Sequence, residues 1–117
     1  MEGLSNYGKD ERPWGGFERF TLNEPSTVKI ITVKPGEAFS LQTHELRDEF
    51  WRVTSGSGTF RVGDEDCSVR EGDTAFIPRG TKHRATAGAD GLSFLEIAFG
   101  HADEEDIVRI EDKYGRA

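Results

Sequence analysis

The most restrictive feature of this sequence is a pair of glycine-bounded segments, residues 36–56 and 72–83, that hold side chains suited to metal binding. Four such side chains lie there: Gln42, His44, Glu49 and His83. The first two are two positions apart, so on a β-strand they point to the same face. An amide, two imidazoles and a carboxylate converging from separate strands are typical of a first-row transition-metal site. The spacing therefore predicts a metal site inside a small barrel of strands.

The rest of the chain favours an all-β fold. With 117 residues there is room for one domain with one core, and 14 glycines and four prolines supply many tight turns. Apolar and β-branched runs predict short strands over residues 17–22, 28–33, 39–44, 49–54, 59–62, 67–70, 74–77, 82–86 and 92–99. A hairpin turn is predicted at 55–58 and a loop at 87–91. Such short, regularly spaced strands are typical of an antiparallel barrel or jelly roll.

The ends of the chain and its charge set further expectations. Residues 1–11 carry no periodic apolar pattern, so we expect a mobile tail or arm there and a barrel domain over residues 12–117. Trp14 is expected to plug one end of the barrel. The net charge of −7 argues against a nucleic-acid partner and against docking on an anionic membrane. Because no apolar run is long enough to span a bilayer and the N-terminus has no signal-peptide pattern, a cytoplasmic location is expected.

The two segments resemble the two sequence motifs of the cupin superfamily. The first motif is matched by Gly36, His44, Glu49 and Gly56, and the second by Gly72, Pro78, Gly80 and His83. The chain departs from the motifs at two positions, with Gln42 in place of the first histidine and Ala87 in place of a late asparagine. This resemblance implies a single-domain cupin, that is, a double-stranded β-helix or jelly-roll barrel.

A narrower resemblance involves motifs along the whole chain. They are Arg12-Pro-Trp-Gly15, Ser40-Leu-Gln-x-His44, Arg47-x-Glu49-x-Trp51, Ile77-Pro-x-Gly-x-x-His83 and Asp106-Ile-Val-Arg109-x-x-Asp112-x-Tyr-Gly-Arg116. Together they are similar to the C-terminal cupin domain of type II mannose-6-phosphate isomerases. In that family the cupin usually follows a guanylyltransferase domain, for which 117 residues leave no space, and a glutamine at position 42 is expected. Glu45-Leu46 and Ala98 differ from the family pattern, which puts the substrate in question more than the fold.

The resemblance implies a metal-dependent isomerase that interconverts mannose 6-phosphate and fructose 6-phosphate. The implied metal ligands are Gln42, His44, Glu49 and His83. Zn²⁺ is the leading candidate for the ion, and Mn²⁺, Co²⁺, Ni²⁺ and Fe²⁺ are alternatives. A barrel that keeps these residues as hydrogen-bonded core groups without a metal is the opposing interpretation.

Isomerisation also needs a phosphate anchor and an acid/base group. Candidate substrate-binding cations are Arg12, Arg47, Lys82 and Arg109, because basic side chains suit phosphate oxygens. Candidate catalytic residues are Arg116, expected to reach the site from the C-terminus, and Glu96, whose mid-strand position suits a carboxylate with a raised pKa. Simpler alternatives are a frayed terminus for Arg116, a salt bridge or solvated face for Glu96, and a surface charge for Arg47.

Two other functions stay open from the sequence. One is a metal-dependent dioxygenase, which usually has two or three histidines and a carboxylate on iron, so that Gln42 counts mildly against it. The other is a cupin that binds a sugar or another ligand without turnover. In every case a homodimer is expected, because cupins of this size commonly dimerise.

Overall fold

The structure, a computed structural model, describes residues 3–101 and 106–111, which form nine β-strands and no α-helix. The strands are β1 Gly8–Arg12, β2 Gly15–Arg19, β3 Thr27–Val33, β4 Leu41–Thr43, β5 Arg47–Val62, β6 Glu65–Arg70, β7 Thr74–Ile77, β8 His83–Gly100 and β9 Val108–Glu111. All of their pairings are antiparallel. The expected all-β fold is therefore confirmed. Within the described ranges, no helix has the length and apolarity required to cross a membrane.

Two long strands, β5 and β8, form the frame of the barrel. They pair with each other from Arg47 opposite Gly100 to Val62 opposite His83. The shorter strands attach to this frame: β6 and β7 pair with β5, β3 and β4 pair with β8, and β9 pairs with β4. Because β5 and β8 run through the whole sheet, residues from both halves of each strand reach the same interior.

The predicted hairpin turn at 55–58 and loop at 87–91 are wrong, since both segments lie inside the long strands. The glycines there mark irregular pairing instead, with register shifts between Val53 and Ser55 and between Gly56 and Gly58. Gly56 has a φ of +76°, and a Cβ at this position would overlap the carbonyl group of Gly91 on β8. Glycines inside a strand commonly mark such bulges and close backbone approaches. The two strands thus bend together rather than turning back.

The interior of the barrel is packed around Trp51, which is fully buried. Its ring lies 4.8 Å from the ring of Phe60 and 4.8 Å from that of Phe94, centroid to centroid. A second apolar cluster covers the outer face of the sheet, where Leu4 packs with Phe50 and Ile97. Aromatic side chains bury large apolar areas and favour tilted or edge-on packing of this kind. The metal-binding candidates lie at the edge of the inner cluster, next to Trp51.

The first two strands lie apart from the main sheet. Strands β1 and β2 make a separate hairpin, which is attached to the barrel where Arg52 on β5 donates two hydrogen bonds to Glu18, at 3.1 and 2.8 Å. The boundary expected between residues 11 and 12 falls inside β1, and the division into an arm and a barrel domain stays a prediction. Trp14 lies at the hairpin tip and is 73% exposed, so the expectation that it plugs the barrel is wrong. Its neighbours Pro13 and Gly15 place it in the turn, beyond the reach of the core.

Candidate metal centre

Three of the four predicted metal ligands lie together in the interior of the barrel. His44, Glu49 and His83 each place one ligand atom within 4.8 Å of the others, and none of the three is more than 2% exposed. They come from three places in the chain: the end of β4, the start of β5 and the start of β8. Cross-strand pairing of Gln42 with His83 sets the position of the fourth predicted ligand beside them. The structure therefore brings together the residues that the spacing predicted.

Both imidazole rings are held with one nitrogen facing the centre of the cluster. Nδ1 of His44 lies 2.8 Å from the carbonyl oxygen of Asp106, and Nδ1 of His83 lies 2.9 Å from that of Thr81. A ring that donates Nδ1–H to a carbonyl keeps the lone pair on Nε2, as in most histidine ligands of metals. Nε2 of His83 is buried and has no hydrogen-bond partner among the described residues. A buried, unsatisfied lone pair of this kind fits a bound metal ion.

Glu49 is oriented by two donors, one for each oxygen. Arg47 donates from Nε to Oε2 at 2.8 Å, and Trp51 donates from Nε1 to Oε1 at 3.1 Å. Burial by itself would raise the pKa of Glu49, but the charge of His83 and the contact with Arg47 outweigh it and lower the pKa. Burial lowers the pKa of His83, against the opposing charge of Glu49. The site is thus suited to an ionised carboxylate and neutral imidazole, the forms in which these groups bind metals.

Gln42 joins the cluster through its amide. Its Nε2 lies 3.3 Å from Nε2 of His44, while its Oε1 accepts a hydrogen bond from the hydroxyl of Ser40 at 2.8 Å. Rotation of the amide by half a turn would present the oxygen to the cluster, and the hydroxyl of Ser40 could then accept from the NH₂ group. The four side chains therefore fit a divalent ion held by one oxygen from the amide, one from the carboxylate and two imidazole nitrogens.

A pocket of about 190 Å³ adjoins the cluster. It is lined by Lys29, Ile31, Phe39, Gln42, Arg47, Glu96, Ile107 and Arg109. Glu96 is 5% exposed and lies in the middle of β8, between Lys29 on β3 and Trp51 on β5. Burial raises the pKa of Glu96 to about 7, helped by the charge of Glu49 and a hydrogen bond to it and opposed by the charges of Lys29 and Arg47. A carboxyl group that titrates near neutral pH can both take up and release a proton there.

The structure divides the predicted phosphate-binding cations into two groups. Arg47 and Arg109 line the pocket, and Arg47 is 4% exposed, which excludes the alternative of a surface charge. Arg12 instead lies in the N-terminal hairpin, where it donates to Asp10 at 2.7 Å, and its side chain is half exposed. Lys82 points to Asp64 at 3.2 Å on the surface. Neither Arg12 nor Lys82 lines the pocket, because each is paired with a carboxylate elsewhere.

The predicted catalytic residue Arg116 lies outside the described residues. Two residues to which the sequence gave no role do take part in the site. Lys29 lines the pocket opposite Glu96, and Asp106, which was named only within a motif, holds the ring of His44 through its carbonyl oxygen. For Lys29 a signal was present, since a lysine stands alone among β-branched residues in β3. For Asp106 the motif gave its position but not this contact, which its backbone carbonyl makes, while its carboxylate accepts hydrogen bonds from the backbone of Glu45 and Leu46.

The chain matches a known protein family over most of its length. The family model described as "Mannose-6-phosphate isomerase C-terminal" matches residues 2–112. The chain belongs to this family. The expected resemblance to the cupin domain of these isomerases is therefore confirmed.

Two curated relatives of this chain are much longer proteins. It is 42% identical over 107 residues to the xanthan biosynthesis protein XanB of Xanthomonas campestris, a match that spans 90% of this chain and 23% of XanB. It is 38% identical to the mannose-1-phosphate guanylyltransferase ManC of Salmonella typhimurium, over 90% of this chain and 22% of ManC. The chain thus spans less than a quarter of the length of these curated relatives.

Among solved structures, the chain is similar to oxalate decarboxylase from Bacillus subtilis. The two are 26% identical and superpose with a TM-score of 0.67 over 74% of this chain and 24% of the decarboxylase. This similarity agrees with the cupin fold.

Proposed function

We propose that this chain is a metal-dependent sugar-phosphate isomerase that interconverts mannose 6-phosphate and fructose 6-phosphate. The observation that carries the proposal is the position of Glu96, a buried carboxyl group that lines a pocket shared with Gln42 and adjoins Glu49. Membership of the isomerase family and the sizeable positive charge around the pocket support the same substrate class. A cytoplasmic location stays a prediction.

The reaction requires the transfer of one proton between neighbouring carbons. In the open-chain aldose, the carboxylate of Glu96 takes the proton from C2 and returns it to C1, while the hydroxyl proton passes from O2 to the adjacent O1. A divalent ion held by Gln42, His44, Glu49 and His83 would supply positive charge to these oxygens. Arg47 keeps Glu49 ionised and in place, and the side chains of Ile31 and Phe39 form an apolar wall of the same pocket.

We also propose that the protein is a homodimer. Strand β3 is at the edge of its sheet, and among the described residues it pairs only with β8. Its outward side chains Val28 and Ile30 are 57% and 61% exposed, and neighbouring exposed apolar residues of this kind favour association. Sedimentation of the wild-type protein and of Ile30→Lys tests this proposal, and a monomeric wild type would contradict it.

The isomerase proposal is tested with a coupled assay for fructose 6-phosphate formed from mannose 6-phosphate. Metal-stripped protein is supplied in turn with Zn²⁺, Mn²⁺, Co²⁺, Ni²⁺ and Fe²⁺. We expect turnover that depends on the added ion and that is lost in His83→Ala, because Nε2 of His83 is a predicted ligand. His101→Ala is the matched control, since His101 is exposed and lies outside the cluster.

Two outcomes would contradict the proposal. Protein that binds the ion but converts no mannose 6-phosphate with any of the five metals would exclude this substrate. Full activity of His83→Ala would show that the cluster does not hold the catalytic ion. Oxygen uptake in the presence of iron would instead favour dioxygenase chemistry.

A further inference from the structure

Two side chains of the candidate metal cluster accept hydrogen bonds from the same arginine. Nε of Arg47 donates to Oε2 of Glu49 at 2.8 Å, and Nη2 of Arg47 lies 3.0 Å from Nε2 of His44. The direction of the second bond is defined, because a guanidinium only donates and Nδ1 of His44 faces the carbonyl oxygen of Asp106 at 2.8 Å. The lone pair on Nε2 of His44 is therefore the acceptor. Arg47 thus bridges two of the groups that would hold an ion.

The other imidazole of the cluster receives no such bond. Nε2 of His83 has no hydrogen-bond partner among the described residues and lies 3.9 Å from Oε1 of Glu49. In other respects the two histidines are alike, since each directs Nδ1 to a backbone carbonyl and neither is more than 2% exposed. They differ at Nε2, where His44 has Arg47 at 3.0 Å and the amide of Gln42 at 3.3 Å.

Arg47 stands among these groups as a cation enclosed in the barrel. Its side chain is 4% exposed and its Nε is 2.8 Å from the carboxylate of Glu49. A buried charge is costly unless it is paired, so the guanidinium and the carboxylate stabilise each other there. The lone pair of an imidazole cannot accept an N–H and bind a metal at the same time. An ion therefore reaches Nε2 of His44 only when Nη2 of Arg47 leaves it.

We propose that Arg47 is an internal cation that competes with the divalent ion for the cluster, and that full binding of the ion displaces Nη2 of Arg47 from His44. The bond from Nε of Arg47 to Glu49 can remain, because each carboxylate oxygen has two lone pairs. The displaced group stays at the wall of the pocket, which Arg47 already lines. This inference rests on the metal ion of the proposed function and is independent of the sugar.

Competition and simple orientation of a ligand have opposite effects on metal affinity. A side chain that only orients a ligating carboxylate strengthens the site, and its loss lowers the affinity for the ion about 10–100-fold. A side chain that competes with the ion weakens the site, so its loss raises that affinity. The sign of the change in Kd therefore separates the two roles.

The first test measures the Kd of Zn²⁺ for the full chain by competition with a chromophoric chelator. Arg47→Lys keeps the positive charge but lacks the planar fork that reaches both Glu49 and His44, so Zn²⁺ should bind about tenfold more tightly than to the wild type. Arg52→Lys is the matched control, because Arg52 lies on the same strand and donates to Glu18, outside the cluster. Its Kd should equal that of the wild type. Equal or weaker binding by Arg47→Lys, with the variant folded by circular dichroism, would overturn the proposal.

The second test uses only the wild type, so it does not depend on how a variant folds. Crystal structures of metal-stripped and Zn²⁺-loaded protein should differ in the distance from Nη2 of Arg47 to Nε2 of His44. We expect it to remain near 3.0 Å in the stripped protein and to exceed about 3.5 Å in the loaded one. An ion bound by His83 and Glu49 that leaves the bond between Arg47 and His44 intact would overturn the displacement.

The two tests also separate this inference from the isomerase proposal. If Zn²⁺ binds and displaces Arg47 but mannose 6-phosphate is not converted, the isomerase function fails and the role of Arg47 stands. If neither the wild type nor Arg47→Lys binds Zn²⁺, the competition is refuted together with the metal centre.

Discussion

The close approach of β5 and β8 at Gly56 makes a strong prediction about stability. A Cβ added there would lie inside contact distance of the Gly91 carbonyl, 2.9 Å from its carbon and 3.2 Å from Cα of Leu92. These are backbone atoms of a paired strand, so they cannot rotate away as a flexible side chain could. Overpacking of this kind costs about 1–3 kcal/mol. The positive φ of +76° adds about 1 kcal/mol for any residue other than glycine.

Gly56→Ala should therefore lower the free energy of unfolding by about 3 kcal/mol. Gly36→Ala is the matched control, because Gly36 has nearly the same φ, +73°, and an added Cβ would meet nothing within 4 Å. This control should lose only about 1 kcal/mol, which leaves about 2 kcal/mol for the clash between the strands. In thermal unfolding, that difference corresponds to a Tm lower by about 8 °C for a chain of this size.

Urea unfolding followed by circular dichroism measures both variants under the same conditions. Chelator is present throughout, so that a change in metal affinity cannot contribute to the difference. If Gly56→Ala and Gly36→Ala lose the same free energy, the close approach of the two strands is not a real constraint. If Gly36→Ala is unaffected while Gly56→Ala loses about 2 kcal/mol, the steric part of the reasoning stands and the conformational part fails.

Three further predictions concern the ion pair between Arg52 and Glu18, the acid/base role of Glu96 and the binding of a metal ion. Arg52 and Tyr7 lower the pKa of Glu18 from 4.5 to about 2, so the stability gained from this contact is full above about pH 5 and is lost as the pH falls towards 2. Since the pair is partly exposed, Glu18→Gln should cost about 1 kcal/mol at pH 7 and almost nothing at pH 2, in urea unfolding at both values. Glu96→Gln should lower kcat at least ~100-fold. The wild-type kcat/KM should rise with pH until about pH 7, where the carboxyl group of Glu96 is ionised, and then level off. A pH profile with no inflection near pH 7 would contradict the role of Glu96 as the base. Removal of the ion by a chelator should lower the Tm of the wild type by about 10 °C and leave His83→Ala unchanged, as scanning calorimetry would show.

Only part of the candidate cluster could be predicted from local spacing. Two positions along a strand return to the same face, so Gln42 and His44 were expected to share one, whereas Glu49 and His83 were expected beside them because of the resemblance to the cupin motifs. The packing of the same strands was less predictable. Ser55–Gly58 has the composition of a turn, and only its pairing with β8, far along the chain, makes it a bulge in a continuous strand.

The position of Lys29 shows a second limit. Strand β3 has apolar residues on both faces, with Val28 and Ile30 outward and Ile31 and Val33 inward. Alternation alone therefore cannot decide which face is the core. The register with β8 decides it, because Glu96 lies opposite Lys29. The neighbours of Lys29 thus mark it as unusual, but only the non-local pairing shows which face it takes.

The shared frame of β5 and β8 also has a consequence for the order of events during synthesis. Gln42, His44 and Glu49 leave the ribosome well before His83, and β8, which carries His83, is the partner on which β3, β4 and β5 all depend. A metal ion that meets the growing chain early would find only part of its ligand set. Folding that relies on such distant pairings is slow, so an ion bound by the full set of candidate ligands would mark the late closure of the barrel. The time at which a Co²⁺ absorption signal develops during refolding would then report when the barrel closes.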